Sequence, residues 1–255
     1  MTSVNVLMYH SISDEPGPTS IAPQIFRGQV RALADAGYTA VPLGSVAEWI
    51  GGGGPLPARS VAITFDDGFA DFASHAAPAL RELGWSATVF LPSGKMGGHE
   101  DWRGANTHPP RSLMTWDQVS ALAEQGFEFG GHSVTHPDLT MLTPAELDAE
   151  LGESRDEITR RLGRAPIAFA PPYGASNPGV RRRIASYYGH SVGTRLARAT
   201  MGDDPFDIPR IEMYYFRDLD RWRAHLDGRG EWYFGARQAL RAIRRRVHMV
   251  ATRRP

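Results

Sequence analysis

Seven short apolar runs recur along the chain at intervals that leave room for a helix between them: VNVLMYH (4–10), YTAVPL (38–43), SVAITF (60–65), SATVFL (86–91), FEFGG (127–131), IAFAPP (167–172) and HSVGT (190–194). They read as largely apolar runs rather than polar alternations, as strands covered on both faces should, and this predicts a parallel sheet. Helical patterns fill the gaps. Residues 24–36 place Phe26, Val30 and Leu33 on one face before Gly37. Residues 115–125 open on Thr115, and 143–162 open on Thr143 with Pro144 and Glu146 behind it, the signature of a capped helix start, and stop at Gly163. The alternation predicts an α/β fold with a parallel sheet in a single domain, which 255 residues can fill. A closed barrel and an open doubly wound sheet both satisfy it, and both gather function at the C-terminal strand ends. GGGGPLP (51–57) falls inside the alternation and reads as a surface loop. The polar stretch 92–113 is expected to be a long loop that walls a site.

There is no cysteine, so disulfides and thiolate metal sites are excluded, and any ligand or nucleophile must come from other side chains. The 28 basic and 28 acidic residues balance, but unevenly: seven arginines and no acid lie in 235–255, leaving 21 basic against 28 acidic residues elsewhere. An acidic body argues against nucleic acid as a partner. The first residues carry no basic and apolar leader pattern, and no run reaches the length of a membrane span, so the expected location is cytoplasmic. The arginine-rich segment 234–255 spaces Leu240, Ile243, Val247 and Val250 at helical intervals; it reads as a basic amphipathic helix, either packed on the domain or in peripheral contact with an anionic membrane.

Strand ends carry the chemistry. Asp66 and Asp67 follow VAITF directly, with Gly68 allowing a tight turn. Adjacent carboxylates repel, and a division of labour would justify the pair: one binds a cation while the other stays available as a base; a simple capped turn is the alternative. His132 and His136, in GHSVTH after FEFGG, stand four apart, a spacing that brings two imidazoles to one side of a helical turn. Asp67, His132 and His136 can together hold a divalent ion with a position left open, which suits hydrolysis of an amide or ester. Pro172 and Tyr173, in FAPPYG, offer a rigid backbone amide for an oxyanion, or an ordinary proline turn. His10 ends the first strand, where it can protonate a leaving amine. Trp102, Trp116 and Tyr173 are candidates to stack on a sugar, with core packing as the competing role; Trp102, in the polar loop, is the preferred one.

These residues resemble the motifs of the polysaccharide deacetylases, carbohydrate esterase family 4: TFDDG the first, HSVTH the metal motif and PPYG the third, in the family's order across roughly residues 4–215. The resemblance implies a distorted (β/α) barrel of about seven parallel strands in a catalytic domain over 1–233. It also implies a divalent metal, commonly zinc, on Asp67, His132 and His136, with Asp66 as base and the Tyr173 amide in the oxyanion site. The implied reaction removes an acetyl group from an N-acetylated saccharide. Two departures stand out. The arginine that many members place before the prolines is Ala170 here, and the late Leu-x-His motif has no clear counterpart, since GHS at 189–191 is a poor match. His10 would then act as the acid, as in the exopolysaccharide deacetylases with an N-terminal Tyr-His. Two alternatives stay open: an amide or ester hydrolase of the same fold acting on a small biosynthetic substrate, and a saccharide-binding relative without activity.

Overall fold

The computed structural model describes residues 2–15, 17, 19–102, 110–230 and 232–240. Eight strands form one wholly parallel sheet: β1 (Asn5–Tyr9), β2 (Thr39–Ala40), β3 (Ser60–Phe65), β4 (Thr88–Leu91), β5 (Glu128–Gly131), β6 (Ala168–Phe169), β7 (His190–Ser191) and β8 (Ile211–Glu212). Seven run in the order β7-β6-β5-β4-β3-β1-β8, and β2 joins the edge of β3 at Ser60 and Val61, ahead of the point where β4 pairs with Thr64 and Phe65. A parallel bridge between Val192 and Ile208 brings the end of β7 to the approach to β8. The sheet thus curls into a distorted (β/α) barrel. All seven expected runs hold a strand; β8 is an additional one, in a segment, PRIEM (209–213), whose charged residues break any apolar run.

Two-residue alternation divides the strands between two cores. Val61, Ile63 and Phe65 of β3, with Leu7 and Tyr9 of β1, face outward to the helices, whereas Ala62, Val6 and Phe90 fill the barrel interior. Helices α1 (Pro23–Asp35), α3 (Ala77–Arg81), α4 (Trp116–Glu124) and α7 (Leu219–Leu226) contribute to the outer core. Helix α2 (Leu43–Ile50) places Leu43, Val46, Trp49 and Ile50 on the interior cluster, and α5 (Pro144–Leu162) with α6 (Pro178–Ile184) covers Phe169. The capping signals are realised. Thr115 and Thr143 each form a reciprocal capping box, with Gln118 and Glu146, and Gly163 ends α5 in the left-handed region at φ 70°.

The glycine-rich 51–57 is an exposed loop between α2 and β3, as expected. Residues 232–240 are helical and bury Tyr233 and Phe234 in the outer core. Most of the arginine-rich segment, 241–255, lies outside the described residues. Among the described residues, no helix is long and apolar enough to cross a membrane.

Candidate metal centre

The DDG turn separates its two carboxylates by geometry. Asp66 stays in the ladder, its amide donating to Tyr9 O at 3.0 Å, and continues the inward face of Ala62 and Thr64. Asp67 leaves it: at φ 73°, followed by Gly68 at φ 65°, the chain turns through two left-handed residues. Asp66 meets Arg210, a fully buried guanidinium, in a two-pronged contact, Nη1–Oδ1 2.6 Å and Nη2–Oδ2 2.8 Å. Arg210 also donates to Thr64 Oγ1 (3.1 Å) and the Gly193 carbonyl (2.9 Å), so the fork is fixed before it reaches the carboxylate. Burial by itself would raise the Asp66 pKa; the charge and hydrogen bonds of Arg210, with smaller help from His10 and His132, outweigh it and hold the carboxyl below its usual range.

Asp67 faces the imidazoles instead. Its Oδ1 lies 3.2 Å from Nε2 of His132 and 3.2 Å from Nε2 of His136, and all three side chains are buried. Burial opposes ionisation here too, but hydrogen bonds from both histidines and the charge of His10 prevail and hold Asp67 well below the ordinary carboxylate value. Against burial, His132 is raised by the hydrogen bond to Asp67 and by the charges of Asp66 and Asp67, whereas for His136 burial wins and its pKa falls.

The histidines do not converge through a helical turn, as their spacing suggested. Residues 132–136 form an irregular loop with Ser133 at φ 67° and His136 at φ 65°. Left-handed conformations cost about 1–3 kcal/mol at residues other than glycine, so something must hold the loop. Glu150 of α5 does: its carboxylate accepts from the amides of Val134 (2.7 Å) and Thr135 (3.0 Å) and from Thr135 Oγ1 (2.6 Å). Ser133 Oγ accepts from the His136 amide at 3.0 Å.

One carboxylate and two imidazoles, with ligand atoms within 4.8 Å of one another, can hold a divalent ion. The second layer of contacts fits that use. His132 Nδ1 donates to the Ala170 carbonyl at 2.6 Å, so when the ring is neutral Nε2, the nitrogen that donates to Asp67 in the protonated ring, is the one left free to ligate an ion. Trp102 stacks on the His136 ring, centroids 4.3 Å apart and planes at 28°, and Tyr173 meets the same ring in an edge contact at 4.7 Å.

The other expected site residues divide. His10 follows β1, beside Asp66 across the ladder, and its charge is felt by both Asp66 and Asp67. Its loop is fastened by Asp71, which accepts from Ser11 Oγ (2.5 Å) and the Ile12 amide (2.9 Å). Tyr173 sits at φ 59°, between buried Pro172 and Gly174, and the residue is 47% exposed. Trp102 is half-buried in the expected wall, where 98–100 pairs with 111–113 and a buried Glu100–Arg111 ion pair (2.7 Å) ties the two sides together. Trp116, by contrast, packs on the outer core beneath Arg161. His190 of the GHS segment opens β7, at the far end of the barrel from the carboxylates. Arg210 was missed altogether: it stands 144 residues from Asp66, and nothing in PRIEM distinguishes it from a surface arginine.

A parallel barrel carrying an Asp-His-His cluster beside a clamped carboxylate is an arrangement suited to metal-assisted hydrolysis. The polysaccharide deacetylase family matches residues 53–193, more than half of the chain, and the chain belongs to that family. YxkH of Bacillus subtilis, which is named for polysaccharide deacetylase, is 27% identical over 210 residues, 82% of this chain and 70% of its own. The peptidoglycan-N-acetylglucosamine deacetylase of Bacillus cereus is 26% identical over 159 residues, spanning 62% of this chain and 51% of that protein. The poly-β-1,6-N-acetyl-D-glucosamine N-deacetylase of Escherichia coli is 33% identical over 91 residues, but the match spans only 13% of its length. Among solved structures, the Streptococcus pyogenes deacetylase PplD in complex with acetate is similar at TM-score 0.73 and 25% identity, covering 82% of this chain and 91% of that one. IcaB from Ammonifex degensii shares the fold at TM-score 0.72 and 21% identity, over 88% and 97% of the two chains.

Proposed function

We propose that the protein removes acetyl groups from an N-acetylated saccharide with the help of a divalent ion held by Asp67, His132 and His136. One observation carries this reading: the buried Asp-His-His cluster stands beside a second carboxylate, Asp66, that is excluded from it and clamped by Arg210. The donor set, two imidazoles and a carboxylate, suits zinc, although other divalent transition metals accept it. When bound, such an ion supplies Lewis acidity toward the acetamide oxygen and acidifies water.

The protein's own groups do the rest. Asp66, held ionised, accepts the proton of the attacking water; each of its oxygens keeps a lone pair beyond the bond to Arg210. The backbone at Tyr173, held in a fixed turn behind two prolines, offers its amide to the developing oxyanion. His10 gives a proton to the departing nitrogen. Trp102 and the exposed Tyr173 meet the His136 ring and offer surfaces for a pyranose. Relatives named for peptidoglycan-N-acetylglucosamine and for poly-β-1,6-N-acetyl-D-glucosamine support a substrate containing N-acetylglucosamine.

The test measures metal content and acetate release from β-1,4 and β-1,6 oligomers of N-acetylglucosamine. Asp66→Asn is expected to lower turnover by about 10²-fold or more while retaining the metal. Undiminished acetate release by that variant would remove Asp66 from the mechanism, and a metal-free active protein would remove the ion.

A further inference from the structure

The opposite, N-terminal mouth of the barrel holds a cavity of about 430 Å³. Three of its walls come from inward-facing strand residues: Thr88 shares the face of Phe90, Glu128 that of Gly130, and His190 that of Val192. In a parallel barrel such positions are normally filled by branched apolar side chains. A hydroxyl, a carboxylate and an imidazole stand there instead. Thr88 Oγ1 donates to Glu128 Oε2 at 3.0 Å. His190 is 5% exposed, and its Nε2 is buried with no hydrogen-bond partner among the described residues. Buried side-chain polar atoms in folded proteins are nearly all bonded, so an unmet one on a ring that lines a cavity points to a ligand group there. The ring is also directed at the cavity: its Cε1 lies 3.9 Å from where a Cβ on Gly44 would stand, and Gly44 lines the same space.

The chemistry of the walls restricts the ligand. Burial holds the His190 pKa down to about 4, so near neutrality the ring is uncharged and Glu128 sets the charge of the interior. At the rim, exposed Glu48 and Arg164 offset each other. An ammonium group matches the carboxylate of Glu128. A hydroxyl matches His190 Nε2 in either tautomer, because it both donates and accepts. Ala47, Leu162, Pro166 and Ile167 leave a carbon surface for the body of the molecule. We propose that this mouth is a second binding site, distinct from the metal centre, for a small amino alcohol that places its ammonium on Glu128 and its hydroxyl on His190.

Two sources share that chemistry, a hexosamine and an aryl amino alcohol, so calorimetric titration uses glucosamine and 2-amino-1-phenylethanol, with N-acetylglucosamine and 1-phenylethanol as uncharged controls. At least one amine is expected to bind saturably, and Glu128→Gln, which keeps a side chain able to bond Thr88, should weaken it by about tenfold or more, the scale of one lost charge-assisted hydrogen bond. Ala47→Phe, which fills the cavity from α2, supplies the same loss should Glu128→Gln not fold. The amine that binds identifies the source. No saturable heat from either amine, equal affinity in both variants, or equal binding of the controls would each overturn the assignment. The site does not depend on the proposed reaction: acetate release by Glu128→Gln should match the parent, and a failure of that reaction would leave the titration unaffected.

Discussion

The two mouths of this barrel are built by opposite means. At the C-terminal mouth, function rests on residues that leave regular structure. Six described residues other than glycine have positive φ, and four of them, Asp67, Ser133, His136 and Tyr173, surround the metal cluster. At the N-terminal mouth, Thr88, Glu128 and His190 sit inside strands and reach the interior by alternation alone. The first arrangement can aim side chains that a strand would not, at about 1–3 kcal/mol per strained residue. The second costs no backbone strain but confines each polar group to a fixed depth in the barrel. Backbone strain therefore marks one site and not the other.

The comparison breaks most severely at Arg210. Arg210→Met leaves Asp66 buried without its counter-charge and should cost about 3–5 kcal/mol in urea unfolding. In whatever folds, the Asp66 pKa must rise, moving the acid limb of the rate profile to higher pH. An unmoved acid limb would show that the clamp does not tune the base.

The N-terminal mouth responds to acid through His190. Its folded pKa, about 4, lies below the ordinary 6.5, so between those values the unfolded chain binds a proton that the folded one refuses. Stability should accordingly fall as pH drops through that window, by about 2–3 kcal/mol from pH 7 to pH 4.5. Denaturant midpoints at the two pH values, measured against His190→Gln, isolate this share; an equal slope in both proteins would contradict it.

Loosening the strained loop is a smaller perturbation. Glu150→Gln retains an acceptor but loses the charge that holds Val134 and Thr135, and metal affinity should fall about 10- to 100-fold, as seen by competition with a chelator. Unchanged affinity would show that the loop holds its shape without Glu150. Smallest of all, Trp102→Ala should raise KM by about 3- to 10-fold, the worth of one aromatic contact, and leave kcat nearly intact. A loss confined to kcat would instead make Trp102 a support for His136.

Much of this was legible in the sequence because it depends on neighbours in the chain. Apolar runs located seven strands, Thr143-Pro144-Ala145-Glu146 announced α5, and the polar residues at the C-terminal strand ends named Asp66, Asp67, His132, His136 and Tyr173. The helical turn inferred for His132 and His136 failed because spacing alone does not specify backbone conformation, and here Glu150, bonding to amides 15 and 16 residues before it, selects a left-handed one.

Tertiary structure decided the rest. The family resemblance implied an arginine where Ala170 stands, and folding brings one to Asp66 from position 210, since β8 and its approach lie beside β1 and close to the end of β7. The sequence likewise gave no sign that Glu128 and His190 point inward, because a strand covered on both sides is apolar on both. Local propensity fixes which segments become strands and where they end. Which of their side chains meet across the barrel depends on the order and register in which those strands pair.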